Sequence, residues 1–209
     1  MAIFQVATNT PPKSELIREW LHRQPWGPTS DEPVEPVGSF HLDDPEGEVG
    51  MQVFVVRAGT TLFQVALTYR DRPLPDAENS FLGEMEHSVL GTRFVYDAIG
   101  DERFIMVLAG VAVSGYGQAL GFAHHEDRWY SVPDELLVRG TGMLTHRVPV
   151  DGFRVDASTE AEVVLRNDGI ELTLIRRLDD RPPPAMGLTA TWSGQPAPIT
   201  LVTARELSA

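Results

Sequence analysis

At 209 residues the chain is long enough to bury a core without covalent staples and too short for more than two ordinary domains. Its formal net charge of -13 opposes a polyanionic partner, because nucleic-acid affinity comes largely from neutralising phosphates. The absence of cysteine removes disulfides, thiolate metal ligands and cysteine nucleophiles together. Lys13 is the only lysine, every other basic residue being arginine. Residues 1–10 have no basic region ahead of their short apolar stretch, and the apolar run 105–113 is too short to cross a bilayer. The expectation is a cytoplasmic protein without a nucleic-acid or membrane partner.

In chain order, residues 14–23 (SELIREWLHR) predict a short amphipathic helix. Ser14 is its expected N-cap, Leu16, Ile17, Trp20 and Leu21 share one face, and Pro25 ends it. The acidic, proline-rich run 27–36 reads as a loop. Residues 51–57 and 61–69 are β-branched and aromatic, and the connection Ala58-Gly59-Thr60 makes them an antiparallel hairpin. The next helix is predicted over 101–114, with Asp101 as N-cap, Ile105, Leu108, Val111 and Ala112 on one face, and Gly115 at its end. From Gly121 the texture changes to short extended runs at 136–138, 143–150, 161–165, 170–178 and 199–203. Asn167-Asp168-Gly169 is a hairpin signal, since Asn and Gly tolerate positive φ, and DDRPPP over 179–184 reads as an extended connector.

Several residue groups could carry chemistry, and each has a structural reading beside the functional one. Gly115, Gly117 and Gly121 resemble a phosphate-cradling loop, but they follow a helix instead of opening one, and the glycine spacing is one position off. A flexible helix exit is the alternative. His124, His125, Glu126 and Asp127 are potential metal ligands, yet adjacent histidines on a strand point to opposite sides, so no metal centre is expected. Glu84, Glu86, His87, Ser88, Arg93 and Asp97 form the polar segment suited to a site. A His-Ser pair with a carboxylate is the raw material of acyl transfer, although no Gly-x-Ser-x-Gly elbow surrounds Ser88. Alternatively, Arg93 and Asp97 cap or pair to orient the helix that follows. Trp20, Trp26, Trp129 and Trp192 can stack on a pyranose ring or pack in the core, and Trp26 and Trp192, in Gly/Pro-rich surroundings, suit stacking better.

Three ordered motifs carry a resemblance. Residues 20–26 (WLHRQPW) are similar to the W-L-x-R-Q-R-W opening of maltokinases and of trehalose synthase–maltokinase fusions, with Pro25 in place of arginine. Residues 63–69 (FQVALTY) resemble the Y-Q-V-P-L strand of their N-terminal cap, and Val95-Tyr96-Asp97-Ala98 with Gly100-Asp101 resembles its Y-D-A-L-x-D motif. The string 86–93 (EHSVLGTR) is closer still to stand-alone actinobacterial cap-like proteins, some labelled 1,4-α-glucan branching protein. The chain has no room for the (β/α)₈ barrel that branching activity implies. Residues 158–178 are similar in layout to the kinase N-lobe hairpin, in which a strand lysine grips ATP phosphates. That lysine position holds Thr173, which supplies no charge to a phosphoryl-transfer transition state. The resemblance also implies that the kinase's catalytic lobe would lie beyond Ala209.

The resulting expectation is an α+β fold of mostly antiparallel curved sheets with few helices. A cystatin-like cap over residues 1–120 is followed by a degenerate, β-rich, kinase N-lobe-like half over 121–209. The expected role is non-catalytic, as an interaction or regulatory module near trehalose, maltose or α-glucan metabolism, with a protein or a small-molecule sugar as partner and no cofactor. One alternative is a carbohydrate or small-ligand binding protein. Another is a hydrolase or isomerase centred on His87, Ser88 and Asp97. Trp26, His87, Ser88, Arg93, Tyr96, Asp97 and Trp192 are the candidate ligand or interaction residues.

Overall fold

The computed structural model describes residues 2–4, 7–29 and 32–207. Strand β1 (Ala2–Phe4) and the two-residue β2 (Asn9–Thr10) lead into helix α1 (Lys13–His22). The helix starts two residues earlier than the Ser14 cap predicts. Pro12 stands at the N-cap, with φ near -60 and no side-chain bond to the first turn, because proline needs no amide partner there. Leu16, Ile17, Trp20 and Leu21 are buried as their spacing predicts. Of the acidic run, residues 30 and 31 lie outside the described residues. The chain is already extended in β3 (Glu35–Leu42), where a bulge between Pro36 and Gly38 accommodates a residue that cannot donate to the ladder.

The expected hairpin is β4 (Gly50–Ala58) and β5 (Thr61–Arg70), closed through Ala58 opposite Thr61 with Gly59 at φ 55. Strands β6 (Phe81–His87) and β7 (Gly91–Asp97) follow, then a 3-10 turn, Ala98–Gly100, and helix α2 (Glu102–Ser114). Both ends of α2 are as predicted. The Asp101 carboxylate accepts from the Arg103 amide at 3.1 Å, and Gly115 takes the left-handed conformation at φ 75.

The second half supplies β8 (Gly121–His125), β9 (Arg128–Ser131), β10 (Leu137–Gly140), β11 (Arg154–Ser158), β12 (Glu162–Arg166) and β13 (Ile170–Ile175). It ends with β14 (Arg177–Leu178), β15 (Gly187–Trp192) and β16 (Gln195–Glu206). The expected extended run 143–150 forms no strand. It is tied to α2 by the Leu144 amide on the Val113 carbonyl, and it lays Leu144, Val148 and Val150 against the core. The Asn167 turn forms for a different reason than φ tolerance. No residue of the three has positive φ, and the Asn167 carboxamide oxygen accepts from the amides of Gly169 at 2.9 Å and Ile170 at 2.7 Å.

Two large sheets result, antiparallel throughout. The first has the order β2-β6-β7-β5-β4-β3, and β14 also pairs with β5 through Arg177–Phe63 and Leu178–Leu62. The second has the order β10-β15-β16-β13-β12-β11. A small third sheet, β1-β8-β9, contains the one parallel pairing among the described strands, β1 with β8. The expected class, antiparallel curved sheets with few helices, is the observed one. Among the contacts that join the expected halves 1–120 and 121–209, three stand out. These are β14 in the first sheet, β1 beside β8, and one apolar cluster that runs from Val53 and Phe40 through Phe104 and Leu108 of α2 to Leu172 and Leu201.

Side-chain alternation divides the first sheet into two faces. Met51, Val53 and Val55 of β4, with Ala66 of β5, face α2 and the second sheet. Val56, Ala58, Phe63, Val65 and Leu67 face α1, whose Leu16, Ile17, Trp20 and Leu21 cover them.

Candidate functional site

The predicted residues do not converge on one catalytic centre. His87 ends β6 opposite Gly91, whereas Asp97 lies at the far end of β7. Six residues of strand separate them, roughly 20 Å at the usual rise. The His87 Nδ1 accepts from the amides of Val89 at 3.3 Å and Leu90 at 3.1 Å, so it organises the β6–β7 turn. Ser88 exchanges bonds with Thr8: its Oγ accepts from the Thr8 amide at 3.0 Å, and its amide donates to the Thr8 carbonyl at 3.0 Å. The His87, Ser88 and Asp97 arrangement expected of a hydrolase is therefore absent, because strand register holds the carboxylate away from the other two.

Asp97 has a structural task. Its carboxylate accepts from the Ile99 amide at 3.4 Å, capping the 3-10 turn ahead of α2, and it pairs with Arg176 at 3.4 Å. The expected ion-pair partner, Arg93, instead donates to the Leu90 carbonyl at 2.8 Å. Burial pushes the Asp97 carboxyl above its ordinary range, and Arg176 opposes that shift. Arg176 also lies over the Trp26 ring at 4.6 Å. Two predicted residues thus meet at one arginine, in the interior, at the point where the chain leaves the second sheet for the first.

Trp26 is 5% exposed and packs edge-on against Trp20, with centroids 5.4 Å apart. It offers no face to a sugar, because α1 and β5 close over it. Trp192 is half-buried against the other core cluster. Tyr96 is buried, with its hydroxyl accepting from the Leu74 amide at 2.9 Å. Thr173 lies on β13 between Val164 and Thr203 of the neighbouring strands. It shares its outward row with Glu171, which is held well below the usual carboxylate range by Arg205 and Arg166.

The other sequence candidates also resolve. The glycine cluster at the exit of α2 is a seam of close backbone approach, since a Cβ on Gly117 would stand 2.5 Å from the Val138 carbonyl oxygen, and one on Gly140 2.4 Å from that of Tyr116. Glu126 and Asp127, with φ of 48 and 60, form the two-residue turn of the β8–β9 hairpin, and the His124 ring lies 4.9 Å from that of Trp129. Among the described residues, no three His, Cys, Asp or Glu side chains gather as a metal site.

A polar cleft of about 670 Å³ does exist, at the edge of the first sheet beside the start of α1. Its lining includes Lys13, His41, Gln52, Tyr69, His87 and Arg93, so two predicted residues, His87 and Arg93, meet here. Lys13 is placed by the first turn of α1. Its ammonium donates to the Gln52 Oε1 at 2.7 Å and sits 4.7 Å above the Tyr69 ring. Gln52 in turn donates to Ser39 Oγ at 2.9 Å. Among the described residues Lys13 forms no ion pair. Burying an ammonium without a counter-charge costs several kcal/mol, and the ring beneath it returns about 0.5–2 kcal/mol. Burial accordingly lowers the Lys13 pKa to about 8.

The neighbouring imidazoles respond to the same conditions. The His41 pKa is lowered by burial and by the charge of Lys13, against a raising hydrogen bond from Asp134 at 3.4 Å. His87 is lowered by burial and by Lys13 and Arg93. Tyr69 has a buried hydroxyl without a hydrogen-bond partner among the described residues, and burial pushes its phenol upward. The cleft therefore presents ammonium, guanidinium and imidazole donors beside an aromatic ring, with Asp43, Asp44, Glu48 and Asp71 also in its lining. Sequence reading gives Lys13 only as a missing lysine elsewhere. Its isolation among arginines, one turn ahead of the Leu16 and Ile17 stripe, was the available signal, and Tyr69 and Gln52 carried none.

In comparison with protein families, the model of the maltokinase N-terminal cap domain matches residues 20–101. This span takes in the last turn of α1 from Trp20, the strands β3 to β7 and the Asp101 cap of α2, and it includes all three motifs from which the resemblance was read. No curated protein matches the chain.

Proposed function

We propose that this protein, whose residues 20–101 are a maltokinase cap-like segment, acts by binding and not by phosphoryl transfer. In this reading it is a non-catalytic interaction or regulatory module connected with maltose, trehalose or α-glucan metabolism, in a cytoplasmic setting. The observation that carries the reading is the pair of positions Thr173 and Lys13. Where the kinase layout has its phosphate-gripping lysine, β13 presents a neutral hydroxyl between Val164 and Thr203. The only lysine of the chain belongs to the other sheet, against Gln52 and Tyr69. Phosphoryl transfer draws its catalysis from fixed charge around the phosphates, and a displaced ammonium cannot supply it. The test is release of the γ-phosphate of ATP by purified protein in the presence of maltose, trehalose or glucose. No turnover above buffer is expected. Turnover that survives purification and changes on substitution of Thr173 overturns the reading.

A second reading, that the cleft takes a small ligand, is supported by its polar lining around the Tyr69 ring. Its volume is within the range of small-molecule sites. Titrating the tryptophan fluorescence with maltose, trehalose and longer glucans tests it for neutral sugars, and a flat response to all of them removes that class of ligand.

A further inference from the structure

We infer that the cleft beside α1 binds the anionic group, a phosphate or a carboxylate, of a small molecule, with Lys13 as the ion-pair partner of that group. The inference rests on the second reading above, that the cleft is a small-ligand site, and names the ligand chemistry.

Three observations of different kinds converge. The Lys13 ammonium has three donors, and the hydrogen bond it makes goes to a neutral carboxamide, Gln52 Oε1 at 2.7 Å. Its charge is held over Tyr69 without a carboxylate at ion-pair distance among the described residues. Packing alone would favour methionine at such a position, because the stem contacts would remain and the desolvated charge would go. A phosphate or carboxylate in the cleft would supply the missing counter-charge. Secondly, the same lining includes Tyr69, whose buried hydroxyl has no hydrogen-bond partner among the described residues. Thirdly, α1 begins at Lys13 without a side-chain cap, which leaves the positive end of its dipole at the cleft edge.

The charged and titratable groups that line the cleft with Lys13 are of both signs. His41 of β3, His87 of β6 and Arg93 of β7 line the cleft with it. Asp43, Asp44 and Glu48 on the β3–β4 connection and the Asp71–Arg72 pair on the rim are the acidic contribution. Asp44 is already engaged, accepting from the amides of Glu46, Glu48 and Val49. Protonation of His41 and His87 is opposed by the Lys13 charge, so an anion that neutralises Lys13 also makes both imidazoles easier to protonate. Binding strengthens as pH falls from 8 towards 6.

Because Lys13 is the sole lysine, protein grown with ¹³Cε,¹⁵Nζ-lysine gives one side-chain NMR signal, and the folded wild-type chain can be tested directly. The signal is titrated with inorganic phosphate, with acetate and with maltose, each at constant ionic strength against chloride. The expected result is a saturable shift with phosphate or acetate, whichever source the site prefers. The Lys13 midpoint should move up from about 8. Linkage then gives an affinity that falls about tenfold per pH unit above the free midpoint. Lys13→Met should abolish the binding, and Lys13→Arg should retain it. A signal that moves no more with phosphate or acetate than with chloride overturns the inference. If maltose alone shifts it, the cleft remains a small-molecule site but the anion assignment falls. If none of the three shifts it, both fall.

Discussion

The two faces of the first sheet are built from the same strands and differ in what they tolerate. Towards α2, Phe40 and Leu42 of β3 and Met51, Val53 and Val55 of β4 join the second sheet in one apolar cluster, to which β5 adds Ala66 between the buried Gln64 and Thr68. Towards α1, the same strands carry Phe63, Tyr69 and Gln52 beneath Trp20, Trp26 and Lys13, and the Tyr69 hydroxyl lacks a partner. Buried oxygens without a partner among the described residues occur on both faces, at Gln64 and Thr68 on one and Tyr69 on the other, so the difference lies in the Lys13 ammonium, a desolvation cost that an apolar side chain avoids. The α2 face serves mainly cohesion, and the α1 face carries a buried charge without a counter-ion among the described residues at the edge that borders the cleft.

This contrast can be broken most forcefully on the α2 side. Asp101 is fully buried, caps α2 and accepts from Arg70 at 2.7 and 2.8 Å. Asp101→Ala leaves the guanidinium without its carboxylate and the helix without its cap, and a loss of about 3–5 kcal/mol is expected in urea unfolding. On the α1 side, Trp26→Ala should cost about 3–5 kcal/mol through the cavity left between Trp20, Phe63 and Arg176. A sugar-stacking Trp26 would instead leave stability unchanged.

Lys13→Met should act in the opposite direction. The folded pKa of about 8 lies below the ordinary 10.5, so between these values the folded state holds fewer protons than the unfolded chain. Stability therefore rises with pH through this window. The substitution should raise stability at pH 7 by about 1–3 kcal/mol and flatten the alkaline rise, as read from urea midpoints at pH 7 and pH 10. A loss at pH 7 would mean that the ammonium is structural. The smallest effect belongs to Thr173→Lys on the outward row of β13, which should stay within about 0.5 kcal/mol and confer no ATP turnover.

What was legible in the sequence was local. Asp101 and Gly115 mark both ends of α2 because capping and a left-handed stop have dedicated residue types. Ala58-Gly59-Thr60 marks its hairpin for a similar reason. Where a turn uses unspecialised residues, as Glu126 and Asp127 do at positive φ, the hairpin gave no signal. Residues 170–178 read as one strand because hydrophobic pattern says nothing about a change of sheet, yet the chain breaks at Arg176 and pairs with β5. The site was less legible still. Trp26 sits between Gly and Pro, which suggested exposure, but α1 and β5 enclose it. The cleft depends on Lys13, Tyr69 and His87 meeting from distant parts of the chain.

The pairing of Leu178 with Leu62 bears on how the protein is made. A ribosome delivers the matched segment early, but an edge of β5 stays open until a stretch on the order of a hundred residues later has emerged, and closing so long a loop is slow. During that interval Phe63 and its neighbours are a sticky strand margin available to other nascent chains. The newborn polypeptide is therefore exposed to misassembly from the time β5 emerges until β14 has followed it.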